Sequence, residues 1–98
     1  MQLNDKQRRH LRGLAHDLKP VVLVGDSGLT DGVVRETERA LHDHELIKIK
    51  VRATDRDTRD ALIADLATRT TSELVNRIGH VAVLYRKRPD KTGIVLPA

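Results

Sequence analysis

The chain contains no cysteine, phenylalanine or tryptophan, and Tyr85 is its only aromatic residue. Without cysteine there is no disulfide, no thiolate metal ligand and no thiol nucleophile. Without Phe or Trp, the core must be built from Leu, Val, Ile and Ala. Single-strand binders of the RRM or OB type stack bases on exposed rings, and Tyr85 alone cannot build such a platform. No apolar run approaches the roughly 18 residues of a membrane span. The opening Gln2-Leu3-Asn4-Asp5-Lys6 has no apolar signal core. A cytoplasmic protein that does not engage membranes is the expectation.

Several chemistries are also missing. No Gly-Lys-Ser or Gly-Lys-Thr completes a nucleotide P-loop. His42 and His44 are two apart and do not share a helix face as a zinc-binding i, i+4 pair does. Acids at Asp55, Asp57 and Asp60 suit the first turn of a helix, where capping and the dipole favour them. Ser27 beside Asp26 lacks the Gly-x-Ser-x-Gly setting of a nucleophile elbow. The expectation is therefore a non-enzyme with no metal, no cofactor and no small-molecule substrate.

What is present suits one small domain over residues 1–98. Charged residues make up 33% of the chain and leave a formal net charge of +4. That balance favours an anionic partner, although the placement of the charges matters more than their sum.

Apolar spacing predicts the elements. A helix over 4–18 starts at Asn4, with Gln7 three residues later as in a capping box. Leu11, Leu14, Ala15 and Leu18 would form its inner face. Pro20 breaks it, and Val21-Val22-Leu23-Val24 reads as a buried strand. After a Gly25-Asp26-Ser27-Gly28 turn, Thr30 caps a helix over 31–43, with Val33, Val34, Thr37, Ala40 and Leu41 inward. Residues 47–53 alternate strictly: Ile47, Ile49 and Val51 face a core, while Lys48, Lys50 and Arg52 face away. Asp55 or Asp57 opens a third helix to about Thr70, with Leu62, Ile63, Leu66 and Ala67 inward. Leu74–Ile78 and Val81–Arg86 form a hairpin turned at Gly79-His80. Residues 87–93 form a loop. Ile94-Val95-Leu96 either docks as a short strand or frays. The order is α-β-α-β-α-β-β.

Four features point to nucleic acid. Gly25-Asp26-Ser27-Gly28 joins a strand to a capped helix, where free backbone N–H groups and the helix dipole favour a phosphate. The KH module clamps a nucleic-acid backbone with a Gly-x-x-Gly loop; the same pattern also serves as a plain tight turn. Arg8, Arg9, Arg12 and His16 form a basic stripe on the first helix, away from its leucines. Lys48, Lys50 and Arg52 form a second basic row on the 47–53 strand. Arg86, Lys87, Arg88 and Lys91 form a third basic cluster. With no aromatic platform, contacts should fall on phosphates and sugars, which implies recognition of a folded RNA by shape.

Gln7 to Gly13 with Leu14-Ala15-His16, then Lys19-Pro20-Val21-Val22-Leu23-Val24-Gly25 through Gly28-Leu29-Thr30, resembles the CRM domain family, in its bacterial single-domain YhbY-like form. Glu45 to Lys50, Ile78-Gly79 and Val83-Leu84-Tyr85-Arg86 match its later segments. The resemblance implies an α/β two-layer sandwich with a mixed four-stranded sheet, similar to the C-terminal domain of bacterial translation initiation factor 3. It implies helices on one face, leaving Lys48, Lys50 and Arg52 open on the other. It further implies RNA binding, association with large ribosomal subunit precursors, and RNA contact by Gly25, Asp26, Ser27 and Gly28; the alternative is an adaptor that docks on a protein of the ribosome or another factor without recognising RNA directly. Arg8, Arg9, Arg12, Lys19, Lys48, Lys50, Arg52 and Arg86 complete the candidate site of an expected monomer. Asp26 departs from the neutral or basic residues common between such glycines. Two unit charges about 5 Å apart in a solvated setting repel by roughly 1–3 kcal/mol, so Asp26 opposes a tight phosphate clamp.

Overall fold

A computed structural model describes residues 2–89 and 93–98. The elements follow the expected order: α1 (Asp5–Ala15), β1 (Pro20–Val24), α2 (Asp31–His44), β2 (Leu46–Val51), α3 (Arg56–Arg69), β3 (Glu73–Ile78) and β4 (Val81–Tyr85). Each helix starts where a side chain satisfies orphan backbone donors. Asn4 Oδ1 accepts from Gln7 N at 2.8 Å, and Gln7 Oε1 accepts from Asn4 N at 3.0 Å, a complete capping box. Thr30 Oγ1 accepts from Val33 N, and Asp55 Oδ1 accepts from Thr58 N at 2.7 Å.

The sheet has four strands in the order β1-β2-β4-β3. β1 pairs parallel with β2, as a strand–helix–strand unit requires. β4 runs antiparallel to both neighbours, β2 and β3. The β2–α3–β3 crossover therefore skips one position, which the hairpin then fills. Gly79, at φ +58°, makes the turn.

Helices α2 and α3 cover one face of the sheet. Val22, Val24, Ile47, Ile49, Val51, Ala82 and Leu84 meet Leu41, Ile63, Leu66 and Ala67 there, in a wholly aliphatic core. The expectation that all helices share this face does not hold. Leu11 and Ala15 of α1 pack with Leu3, Leu46, Val75, Val83 and Tyr85 in a separate cluster. Leu46 and Ile47 are consecutive, so their side chains point to opposite faces; α1 lies on the far side from α2 and α3. The chain 93–97 closes this second core without forming a strand: Ile94 and Leu96 pack against it, and Gln7 Nε2 donates to Pro97 O at 3.1 Å.

Two local expectations change with this layering. α1 ends at Ala15, and its inner face is Leu11 and Ala15, while Leu14 and Leu18 are exposed. β1 is an edge strand buried on one face only, through Val22 and Val24. Its continuous apolar run suggested burial on both faces. Val21 and Leu23 instead face the side that α1 covers only in part.

Candidate nucleic-acid interface

α1 packs over Leu46, Val75, Val83 and Tyr85, and so shields only one end of its sheet face. The other end is half open, and the alternating row of β2 runs into it. Lys48 and Lys50 stand on this face, opposite Val83 and Val81 of β4. Lys50 is exposed. Lys48 is not in the open as expected: it is half-buried against α1, and its Nζ donates to His16 O at 3.2 Å. A groove of about 580 Å³ opens beside it, lined by Arg12, His16, Lys48, Asn76, Ile78 and Val81 among others.

Past the end of β2, Arg52 N donates to Val24 O at 2.9 Å, which ties this segment to the start of the glycine loop. Arg52 shares a depression of about 470 Å³ with Gly25, Asp26, Gly28, Thr54 and Thr58. The loop is a tight turn in which Gly28 N donates to Gly25 O at 3.0 Å. Gly28 has φ +70°, a conformation side chains resist. Gly25 does not share that conformation, and a Cβ there would enter open space. Asp26 and Ser27 are exposed at the tip.

The structure thus brings Arg12, Lys48 and Lys50 to one face of the sheet, and Arg52 to the glycine loop just past the end of β2. Lys48 to Arg52 alone spans roughly 13 Å at strand rise. Lys19 lies at the margin, next to Lys48 in a neighbouring groove. Arg9 is exposed on α1. Arg8 is half-buried, and its guanidinium donates to Leu74 O, which pins α1 to the start of β3.

Arg86 stands apart from this surface. Its guanidinium pairs with Glu38 Oε2 at 2.7 Å and donates to Thr70 O at 2.8 Å, on the α2 side of the sheet. Arg88, from the same basic cluster, donates to the last carbonyls of α2 at His42 and Asp43. Lys91 lies outside the described residues. Sequence reasoning did not pick out Asn76, Thr54 or Thr58 for the site. Asn76 is one uncharged polar position in β3, between Val75 and Arg77, a signal too slight to rank before the register is known.

Among the described residues no cluster of three metal-ligating side chains occurs, and no helix is long and apolar enough to cross a membrane.

Comparisons with known proteins agree with this architecture. Residues 3–86 match the CRS1 / YhbY (CRM) domain. An RNA-binding protein of Haemophilus influenzae is 50% identical over 95 residues, covering 97% of this chain and 95% of the relative. A probable RNA-binding protein of Pseudomonas aeruginosa is 47% identical over 89 residues, covering 91% of this chain and 86% of the relative. A solution structure from Staphylococcus aureus, 35% identical, matches with a TM-score of 0.85 over 98% of this chain and 100% of the other. With the profile covering most of its length and these relatives matching nearly end to end, the chain belongs to the CRS1/YhbY (CRM) domain family.

Proposed function

We propose that this protein binds folded RNA through the half-open face of its sheet, and that its target is ribosomal RNA in precursors of the large subunit. The observation that carries RNA binding is the cationic row Lys48, Lys50 and Arg52, which leads from the groove lined by Arg12 to the depression beside the glycine loop. Relatives matched over most of their length are named RNA-binding proteins, which supports the same reading. The cations contact phosphates and release counterions, and the loop amides align one further phosphate. Asp26 at the tip makes the loop a guide, with most of the affinity in the cationic row. The surface holds no exposed Phe, Tyr or Trp ring, so it reads the shape of a folded RNA and not a run of bases. The role is that of a cytoplasmic, non-enzymatic assembly factor.

Two measurements test this. Titration of protein-free large-subunit rRNA should give binding that weakens steeply with salt, and a flat salt response rejects the RNA reading. In sucrose gradients of cell extract, the protein should travel with large-subunit precursors. Its absence from those fractions, with RNA binding intact, removes the ribosomal target while leaving the RNA surface in place.

A further inference from the structure

The groove beside Lys48 holds more than phosphate contact needs. Lys48, Val83 and Asn76 stand opposite one another across β2, β4 and β3, and Lys50, Val81 and Ile78 form the next row. All six project to the face that α1 covers in part. Cations therefore flank one side of the groove, and Asn76 and Ile78 the other, two strand spacings or roughly 10 Å away. Between them lies an aliphatic floor. Ile78 is 74% exposed and Val81 is half-buried. Among the described residues no carboxylate lines the groove.

Asn76 reaches this face through an irregularity. β3 shifts register between Leu74 and Asn76. Consecutive strand residues alternate faces, yet Val75 packs under α1 and Asn76, next to it, stands on the same face. A bulge of this kind re-aims a side chain. The side-chain bonds at β3 are those of Arg8 to Leu74 O and of Arg77 to Gly79 O and Asp60. They leave the half-buried Asn76 amide without a partner among the described residues. A phosphate gains nothing from an uncharged amide beside aliphatic side chains. An amide offers a donor and an acceptor together, the pairing that a nucleobase edge takes. A base also lays its flat face on apolar side chains.

We propose, resting on the reading of this face as the RNA surface, that the groove holds the base of one unpaired nucleotide turned out of a bulge or loop. The base lies over Val81 and Ile78, and Asn76 hydrogen-bonds its edge. Arg12, Lys48 and Lys50 hold the flanking phosphates. The volume of about 580 Å³ lies within the range of small-ligand sites. Shape recognition of the folded RNA thereby gains a single point of base contact, which fixes where along a helix the protein sits.

Footprinting of the full chain on protein-free large-subunit rRNA tests this. Hydroxyl radicals report the backbone, while dimethyl sulfate and carbodiimide report the edges of unpaired bases. At saturating protein, an unpaired base inside the backbone footprint should lose its reactivity. Asn76→Ala and Ile78→Ser should each restore that reactivity while the backbone footprint persists. Each should weaken rRNA binding by about fivefold or more. The slope of log affinity against log salt should stay unchanged, because neither variant alters a charge. Ile78 is exposed, so its replacement leaves the core untouched. A backbone footprint with no unpaired base protected inside it overturns the proposal and leaves the RNA surface in place. No footprint at all removes the RNA reading itself. A base that stays protected in both variants is covered elsewhere and overturns the proposal. So does a shallower salt slope, which makes the groove a phosphate site. Displacement of the rRNA by an equal concentration of a free mononucleotide makes a soluble nucleotide the ligand and overturns it as well.

Discussion

The two glycines of the loop look equivalent in sequence and are not equivalent in the fold. Gly28 sits at φ +70°, where a Cβ costs about 1–2 kcal/mol. Gly28→Ala should therefore lower stability by that amount in urea titration. Gly25 is outside the left-handed region, and a Cβ there meets nothing within 4 Å. Gly25→Ala should stay within about 0.5 kcal/mol of the parent and still weaken RNA binding, because its methyl occupies the space a phosphate approaches. Full affinity in a stable Gly25→Ala protein means the loop is only a turn. A third glycine is fixed for a different reason. The buried Glu45 carboxylate accepts from Ile94 N at 2.7 Å and from Arg88 N at 3.3 Å, which folds the C-terminal segment onto α1. A Cβ on Gly93 would collide with that carboxylate. Gly93→Ala should cost about 1–3 kcal/mol, the range of an overpacked site, read as a lower thermal midpoint.

Among the elements, α3 carries a titratable start. The Asp55 carboxyl is held below its ordinary value of 3.8, chiefly by hydrogen bonds from the Thr58 backbone and hydroxyl. A lowered carboxyl stabilises the fold above its unfolded pKa, and this contribution is lost as pH falls through the folded one. Asparagine keeps the capping geometry without the charge. Asp55→Asn should thus be less stable than the parent at pH 7, with the gap closing below about pH 4 in acid-unfolding curves. A gap that persists in acid would show that the amide disturbs the cap itself. The caps at Asn4 and Thr30, the third cap to within the pair Asp55 and Asp57, and all seven elements are legible in sequence because each is set by local chemistry. The layer of α1 is not. Lys48, Lys50 and Arg52 read as an open row, and nothing local reveals that α1 settles over the end that begins at Leu46. The consequences propagated: Leu14 and Leu18 were assigned inward, β1 was read as doubly buried, and Lys48 as open. For the candidate site, the glycine loop and the β2 cations were visible as patterns. The engagement of Arg86 with Glu38 and of Arg8 with Leu74 O depends on residues far away in sequence, 48 and 66 positions respectively.

For the whole molecule, the question is whether RNA senses the net charge of +4 or the row of cations on one face. Salt dependence separates the two. Each phosphate neutralised contributes about 0.7–0.9 to the slope of log affinity against log salt. If the row is the contact surface, Lys50→Gln with Arg52→Gln removes two contacts, and the slope should become shallower by about 1.4–1.8. Arg69→Gln with Arg86→Gln removes the same two charges from the far side, where Arg69 pairs with Asp65 and Arg86 with Glu38. The Debye length near physiological salt is about 8 Å. The molecule is 38 Å along its longest axis and 23 Å along its shortest. Charges on the far side are thus screened from RNA docked on the sheet face, and that pair should leave the slope nearly unchanged. Equal losses in both variants would mean that RNA is attracted by the molecule's charge as a whole. A selective loss in the first makes the half-open sheet face, bordered by α1 and the glycine loop, the surface on which RNA rests.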